Sequence, residues 1–393
     1  MIKSVFSNMK ILDHTRYLLG GYATQVFADL GAEVIKIEEA QNGDLCRLDF
    51  PFKNGVSYYF SALNRNKKSV TLNLKSKAGK EAYLKMVKDA DVVIENFRPG
   101  VMKRLGIDYE VEKTIKPDII HCAMSSFGQE DPRSLKALHD INFQALSGYL
   151  SLNGGKTCPI HLVDVSTSMA AVQSIMAALL QRFDTGKGAF CDMKMFDSFV
   201  WWNSLLDARF QFDGNHVSAD TLEFPALAYN IYETSDGGKI SVAMLEPKFW
   251  KDFLASVGLE EFLPHKLCRR QEAPEAFAKL EELFKSKTLE EWKQWLSTKD
   301  ICAMPLLDKG EAIDYIVSSG SGLIEYCDFP LTGKTLQTRI PHAISSLPVS
   351  LKNAAPAPRL GEHNVSVLQS IGYSMEEIEA MAAMGACGPL FKE

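Results

Sequence analysis

The 393-residue chain has 46% hydrophobic and 23% charged residues, as an ordinary globular protein does, and its length favours about two domains. Its net charge of -6 and the lack of a long like-charge block argue against a nucleic-acid partner. Eight scattered cysteines with no CxxC and no Cys/His spacing argue against a disulfide framework and a metal site. Because neither a signal-like N-terminus nor an apolar run of about 18 residues is found, we expect a cytoplasmic protein with no membrane partner.

The first predicted elements lie in residues 9–38 and form a strand, a turn, a helix and a second strand. The apolar face of the helix includes Val26, Phe27 and Leu30, and Gly20-Gly21 form the predicted turn before it. Because parallel strands need covered faces, this βαβ unit predicts an open α/β domain with ligand space at the strand C-termini. No GxGxxG is present, so a dinucleotide site is poorly supported.

Residues 64–110 repeat this pattern, with a strand at 69–74, a helix at about 77–89 and a buried strand at 92–94. Arg98 and Arg104 flank the C-terminal edge of the last strand. Together with Arg65, Lys67, Lys68 and Lys75 they suit phosphate groups, because guanidinium and ammonium groups bind phosphate oxygens well. The alternative for any single basic residue is a solvated surface position.

The remaining elements complete two domains. In chain order we predict a strand at 117–127, a helix at about 165–182, a strand at 190–196, a hairpin at 229–245, and helices at 247–257, 274–286 and 289–297. We therefore expect a large α/β domain at 1–199, a linker at 200–228, a small α+β domain at 229–330, and at 331–393 a return linker with a C-terminal segment that packs on the large domain. That segment contains a Pro/Ala linker at 354–358 and a pair of short helices.

Four residues are candidates for chemistry. Asp164 precedes the predicted helix, where an N-cap residue would stand; capping is one interpretation, and a base or nucleophile is the other. His139 and Asp140 form a His-Asp pair, and an imidazole suits proton transfer near neutral pH. Glu246 lies at a strand-to-helix junction and is able to orient an imidazole. Spacing alone does not pair these residues.

Several long segments resemble one enzyme superfamily. LLGGYATQVFADLGAEVIKIE, NRNKKSVTLNLKS and ADVVIENFRPGVMKRLGIDYE resemble the class III CoA-transferase and racemase superfamily, as does APRLGEHNVSVL near the C-terminus. The resemblance implies a large Rossmann-like domain with an open parallel sheet and a smaller α+β domain, in an interlocked homodimer of ring-shaped subunits. It also implies an acyl-CoA substrate bound between the domains, with no separate cofactor.

Within that superfamily, HDINFQALSG and VAMLEPKFW resemble the α-methylacyl-CoA racemases. This implies that His139 and Asp164 are bases on opposite faces of the thioester α-carbon, with Glu246 and Asp140 as orienting groups. The alternative is a CoA-transferase in which Asp164 attacks the acyl-CoA. Formyl-CoA-transferase-like members carry a glutamine where this chain has Leu18. This difference weakens the interpretation of the chain as a CoA-transferase that acts on oxalate or formate.

The resemblance also assigns a CoA-binding set, namely Arg16, Lys75, Asn96, Arg98 and Arg104. Relatives often have glycine before the aspartate and a glycine-rich turn after it, whereas this chain has Val163 and Val165-Ser166-Thr167-Ser168. We expect this bulk to narrow the oxyanion region or reshape the acyl pocket. We also expect the helix after Asp164 to present backbone N–H groups near the oxyanion.

Overall fold

The structure, a computed structural model, describes residues 6–214, 226–342, 344–345 and 349–391. The chain forms two compact units, one of Met1–Arg209 with Gly320–Glu393 and one of Phe210–Ser319. We call them the large unit and the small unit. The large unit is therefore built from two separate stretches of the chain.

In the described part of the large unit, six parallel strands form the central sheet. Across the sheet they are Lys68–Thr71, Glu33–Glu38, Lys10–Asp13, Val92–Glu95, Ile120–Ser125 and Ala189–Lys194. This mixed α/β architecture confirms the predicted fold class. The strand order reverses between Lys10–Asp13 and Val92–Glu95, and ligand sites in open α/β sheets form beside such a reversal at the strand C-termini.

Both faces of this sheet are covered. Successive strand residues point to opposite faces, so Ile11 and Val34 pack in one apolar core while Leu12 and Ile35 pack in the other. Since each core also contains buried helical residues, the strands are apolar on both sides, as parallel strands usually are.

The helix Tyr17–Asp29 contains the glycine pair that was expected to form a turn. That prediction was wrong, because Gly20 and Gly21 lie inside the helix. A Cβ on Gly20 would stand 1.9 Å from Cβ of Thr15, and one on Gly21 would stand 3.1 Å from Cβ of Leu63. The glycines therefore allow close packing of the helix rather than a reversal of the chain.

The helix Leu162–Thr185, called the Asp164 helix below, begins earlier than expected. Its N-cap is His161, so the N-cap position predicted for Asp164 is wrong, and Asp164 lies in the first helical turn. Among the described residues it is the one helix long and apolar enough to cross a membrane. Its buried residues, which include Ala171 and Ile175, pack in the core of the large unit as those of a core helix do.

The other elements of the large unit surround the sheet. Its remaining helices are Leu45–Leu48, a 3-10 turn, then Tyr58–Leu63, Lys77–Val87, Val101–Leu105, Tyr109–Ile115, Asp140–Leu146, Tyr149–Leu152, Met195–Trp202, Asn364–Ser370 and Met375–Ala383. Its hairpins are Phe52–Lys53 with Val56–Ser57, and Ile324–Phe329 with Gly333–Thr338. In the C-terminal helices Leu368 and Met381 are buried in the same core as Leu12 and Ile35.

The small unit has its own sheet and core. The antiparallel strands Tyr229–Glu233, Lys239–Ala243 and Ala303–Pro305 form the sheet, and the first two make the predicted hairpin. The helices are Pro247–Val257, Glu260–His265, a 3-10 turn, then Pro274–Phe284, Leu289–Leu296 and Lys309–Ser318. Trp250, Phe277 and Trp292 are buried between these elements.

Two segment boundaries differ from the sequence prediction. The connector expected at 200–228 is helical where it begins, since Met195–Trp202 and Ser204–Phe212 are helices, and 215–225 lie outside the described residues. The small unit ends at Ser319 rather than at 330, because the next hairpin belongs to the large unit. There Lys53 Nζ donates to the carbonyl of Lys334 at 2.6 Å.

Candidate active site

A cavity of about 630 Å³ lies at the carboxyl edge of the large unit's sheet. Part of its lining comes from residues that end or follow four adjacent strands, among them Arg16, Asn96, Arg98, Ser126 and Met195. The rest includes His139, Asp140, His161 and Asp164, at the starts of two helices. The fold therefore brings six of the nine predicted site residues to one cavity.

Asp164 is a half-buried carboxyl group on the cavity wall. Within the described residues, no side chain or backbone N–H donates a hydrogen bond to its carboxylate. Burial and, next, the negative charge of Asp140 raise the pKa of Asp164 to about 7. Asp164 is therefore able to hold or release a proton near neutral pH.

Asp140 is buried and anchors the start of the Asp164 helix. Its Oδ1 accepts the backbone N–H of Val163 at 2.7 Å and that of Asp164 at 3.1 Å. Its Oδ2 accepts the side-chain N–H of Gln144. Asp140 thus satisfies two of the helix N–H groups that lack an intrahelical partner, from a position outside the helix.

His139 is the exposed N-cap residue of the helix Asp140–Leu146 and lines the cavity. Its backbone N–H donates to Oδ1 of Asn142 at 2.9 Å. Asp140, the next residue, therefore fixes the start of the Asp164 helix, while His139 contributes to the cavity wall.

Arg16 is held at the cavity by Asn96. Its backbone N–H donates to Asn96 Oδ1 at 2.9 Å, and Asn96 Nδ2 donates to the Arg16 carbonyl at 2.9 Å. The next residue, Tyr17, has a positive φ of 57°, and its N–H donates to Asp44 at 3.1 Å. These bonds stabilise a backbone conformation that is costly for a non-glycine residue.

The basic residues assigned to CoA fall into two groups. Arg16 and Arg98 line the cavity, whereas Lys75 and Arg104 are exposed and lie outside its lining. The Asn96 side chain is occupied by its bonds to Arg16. A direct contact of any of these residues with CoA stays a prediction.

Glu246 belongs to the small unit. It is exposed and is the N-cap residue of the helix Pro247–Val257. Its expected hydrogen bond to the imidazole of His139 stays a prediction.

The bulky residues around Asp164 do not lie where the sequence suggested. Val163 and Ser166-Thr167-Ser168 are buried, and neither they nor Val165 line the cavity. The hydroxyls of Ser166 and Thr167 donate to the carbonyl of Val163 at 2.9 and 2.7 Å. These residues therefore do not narrow this cavity, and the expected effect on the acyl pocket stays a prediction.

The N–H groups expected near an oxyanion are already bonded. Those of Val163 and Asp164 donate to Asp140, and that of Val165 donates to the carbonyl of His161 at 3.0 Å. This expectation was wrong because the helix begins before Asp164 rather than after it. An oxyanion donor other than these three N–H groups is therefore needed.

Among the cavity residues that were not singled out from the sequence are Tyr59, Lys136 and His161. Burial and then the charge of Asp164 raise the pKa of Tyr59, so its hydroxyl stays protonated. His161 and Asp164 are the N-cap residue and the third residue of their helix, a relation that depends on where the helix begins. Nothing comparable marks Tyr59, which comes from a distant short helix.

Asp140, His161 and Asp164 each offer one oxygen or ring nitrogen within 4.8 Å of the others. That grouping also resembles a cation site. However, the Asp140 oxygens accept three hydrogen bonds that a metal ion would have to displace. The donor set therefore fits the capping role of Asp140 better than a metal.

The family model of CoA-transferase family III matches residues 6–364. The chain belongs to this family. This family III protein is 30% identical to the alpha-methylacyl-CoA racemase of Mus musculus, over 95% of each chain. It is 29% identical to the succinyl-CoA:glutarate CoA-transferase of Homo sapiens, over 92% of this chain and 85% of that protein.

A solved structure agrees with the assignment. A CAIB/BAIF family protein from Brucella suis matches with a TM-score of 0.83 and 26% identity, covering 94% of this chain and 100% of that one. A racemase and a CoA-transferase match this family III protein at similar identity. The choice between the two reactions therefore depends on the site.

Proposed function

We propose that this protein is a racemase or epimerase that interconverts (R)- and (S)-2-methylacyl-CoA thioesters. His139 and Asp164 transfer the protons, one to each face of C2, through an enolate. The observation that supports this most is the raised pKa of Asp164, about 7, in a cavity that it shares with His139.

The chemistry needs two proton carriers and one oxyanion donor. One base removes the α-proton, which a thioester acidifies by spreading the enolate charge onto its oxygen. The conjugate acid of the other base then returns a proton to the opposite face. A carboxyl with a pKa of about 7 suits either role at neutral pH, because both of its protonation states are populated.

Tyr59 is our candidate donor for the enolate oxygen. It lines the cavity, and the charge of Asp164 contributes to its raised pKa, so the two groups interact electrostatically. A neutral hydroxyl in a partly enclosed site stabilises a developing oxyanion. Tyr59 takes the role that was expected of the helix N–H groups, because those of Val163, Asp164 and Val165 already donate to Asp140 or to the carbonyl of His161.

Substrate binding follows from the same assignment. Arg16 and Arg98 lie at the cavity and are suited to CoA phosphate oxygens, with Lys75 and Arg104 further out. We assign Glu246 and Asp140 to orienting roles. We also propose an interlocked homodimer, since exposed Trp201 and Leu205 leave apolar surface on the large unit. The reaction needs no cofactor besides the CoA carried by the substrate.

The alternative is a CoA-transferase in which Asp164 is the nucleophile. The similarity to a succinyl-CoA:glutarate CoA-transferase favours it. In that mechanism the carboxylate attacks an acyl-CoA, releases CoA as a thiolate, and forms a mixed anhydride. Ionised Asp164 is then required, and His139 is dispensable.

Deuterium exchange distinguishes the two reactions. Incubated in deuterium oxide with 2-methylacyl-CoA esters of short-branched, long-chain and aryl type, the enzyme should introduce one deuterium at C2 without releasing CoA. The same samples with added carboxylic acids test for CoA transfer, and borohydride tests for an acylated Asp164. Transfer together with a trapped Asp164, and no label at C2 across the panel, would refute the racemase proposal.

A further inference from the structure

The first turn of the Asp164 helix places an imidazole beside the proposed base. His161 is the N-cap residue and Asp164 is the third helical residue, positions whose side chains are neighbours. An N-cap side chain normally accepts a backbone N–H of the first turn. The side chain of His161 makes no such bond, because Asp140 accepts the N–H groups of Val163 and Asp164 instead.

His161 is also the more accessible member of this pair. It is exposed, whereas Asp164 is half-buried, and both line the cavity. A ring nitrogen of His161 lies within 4.8 Å of an Asp164 carboxylate oxygen. One bridging water spans such a distance with two hydrogen bonds. Since the Asp164 carboxylate accepts no hydrogen bond from the described residues, this path does not compete with a structural one.

We propose that His161 relays protons between Asp164 and solvent. This inference rests on the proposed racemase function and deepens it. After Asp164 has taken the α-proton, its O–H bond breaks and the proton passes, through one water, to a ring nitrogen of His161. The imidazolium then loses a proton to bulk water from its other nitrogen, so each cycle leaves His161 unchanged. His161 acts through Asp164 and is a positioning residue, not a catalytic one.

The relay affects the labelling of recovered substrate for only one enantiomer, the one whose α-proton Asp164 abstracts. A proton on Asp164 either returns to the enolate face from which it came or exchanges with solvent first. A fast relay favours exchange, so in deuterium oxide the recovered substrate gains label. A proton abstracted by His139 takes no part in this relay. Loss of His161 should therefore reduce labelling of recovered substrate for one enantiomer and leave the other unchanged.

The test compares wild type with His161→Gln and His161→Ala in deuterium oxide. Each pure enantiomer of a 2-methylacyl-CoA is used, and label is measured separately in recovered substrate and in inverted product. Ser134→Ala is the control, because Ser134 lines the same cavity without a titratable group. We expect the ratio of labelled substrate to product to fall about tenfold for one enantiomer in both His161 variants. Added imidazole should restore it in His161→Ala.

Other outcomes would overturn the relay. An unchanged ratio, an equal fall for both enantiomers, or an equal fall in Ser134→Ala would each show that His161 does not exchange protons with Asp164. If the wild-type enzyme introduces label into neither recovered substrate nor inverted product, the proposed racemase function fails and the relay fails with it; label in the inverted product alone keeps the racemase and overturns the relay. The wild-type sample therefore separates the two failures.

Discussion

Oδ1 of Asp140 accepts the backbone N–H of Asp164 at 3.1 Å, so one carboxylate fixes the position of the other. The same proximity has an electrostatic effect, since the charge of Asp140 adds to burial in raising the pKa of Asp164. The resemblance implied an orienting role for Asp140. In the structure Asp140 caps the Asp164 helix and places a negative charge near Asp164, and its orienting role in the reaction stays a prediction.

Asp140→Asn should separate these two parts. The amide keeps an oxygen for the N–H groups of Val163 and Asp164, and Gln144 is able to flip its amide and offer its unpaired oxygen. Without the negative charge, the pKa of Asp164 should fall, and the corresponding limb of the kcat/KM profile should move to lower pH. Asp140→Ala should instead destabilise the protein by about 1–3 kcal/mol, because it leaves helix N–H groups without an acceptor. If Asp140→Asn leaves the profile unmoved, its charge does not act on Asp164.

The pH dependence should be the same for both enantiomers. In one direction Asp164 starts ionised and His139 starts protonated. In the other direction Asp164 carries the proton and His139 is neutral, so the pair holds one proton in both cases. We expect a bell-shaped kcat/KM with one limb near pH 7, the pKa of Asp164. Measurement of each enantiomer between pH 5 and 9 tests this. A single limb that rises with pH would instead indicate a reaction that needs only the Asp164 carboxylate.

Asp164 should cost stability at neutral pH. Its folded pKa of about 7 lies above its ordinary value of 3.8, so the folded state binds the proton more tightly, and stability falls as pH rises between these values. The Asn side chain of Asp164→Asn does not titrate, so this variant should be about 2 kcal/mol more stable to unfolding than wild type at pH 8. This is about half of the energy that the full pKa shift corresponds to, because Asp164 is partly solvated. The gain should be about 1 kcal/mol smaller at pH 5.

Urea unfolding of wild type and Asp164→Asn at the two pH values measures this difference. Asp184→Asn is a suitable control, because Asp184 is exposed near the end of the same helix. An equal gain at pH 5 and pH 8 would mean that the cost of Asp164 does not come from its ionisation.

Tyr59→Phe should lower kcat by about 10- to 1000-fold with little change in KM, because the hydroxyl contacts the substrate oxygen most strongly when it carries the enolate charge. Steady-state kinetics with one enantiomer measures both constants. Tyr58→Phe is the matched control, since Tyr58 is the exposed neighbour of Tyr59 and does not line the cavity. An unchanged kcat in Tyr59→Phe would exclude this hydroxyl as the oxyanion donor.

The sequence predicts most of the fold because its apolar runs are strongly patterned. Val92 and Ile94 face one core and Val93 faces the other, which is why their continuous run marks a doubly covered strand. The prediction of a turn at Gly20 and Gly21 was wrong because glycine is common both in turns and where a helix packs closely. Only the close contact between Thr15 and the backbone of Gly20 distinguishes the two cases.

The site was partly predictable for a similar reason. His139 and Asp164 stand in segments that resemble the racemases, and both reach the cavity. The role of Asp140 as a cap depends on a hydrogen bond between residues 23 apart in sequence, which local patterns do not encode. His161 was missed because its capping-box spacing with Asp164 becomes visible only once the helix is known to start at Leu162.

The most direct test of the two-base account uses His139→Gln and Asp164→Asn with each pure enantiomer of a 2-methylacyl-CoA in deuterium oxide. Each variant keeps one base, so neither should invert C2. We expect His139→Gln to exchange the α-proton of one enantiomer only, and Asp164→Asn to exchange that of the other only. If both variants lose exchange for the same enantiomer, or if His139→Gln inverts C2 at the wild-type rate, then His139 and Asp164 do not serve opposite faces of one carbon.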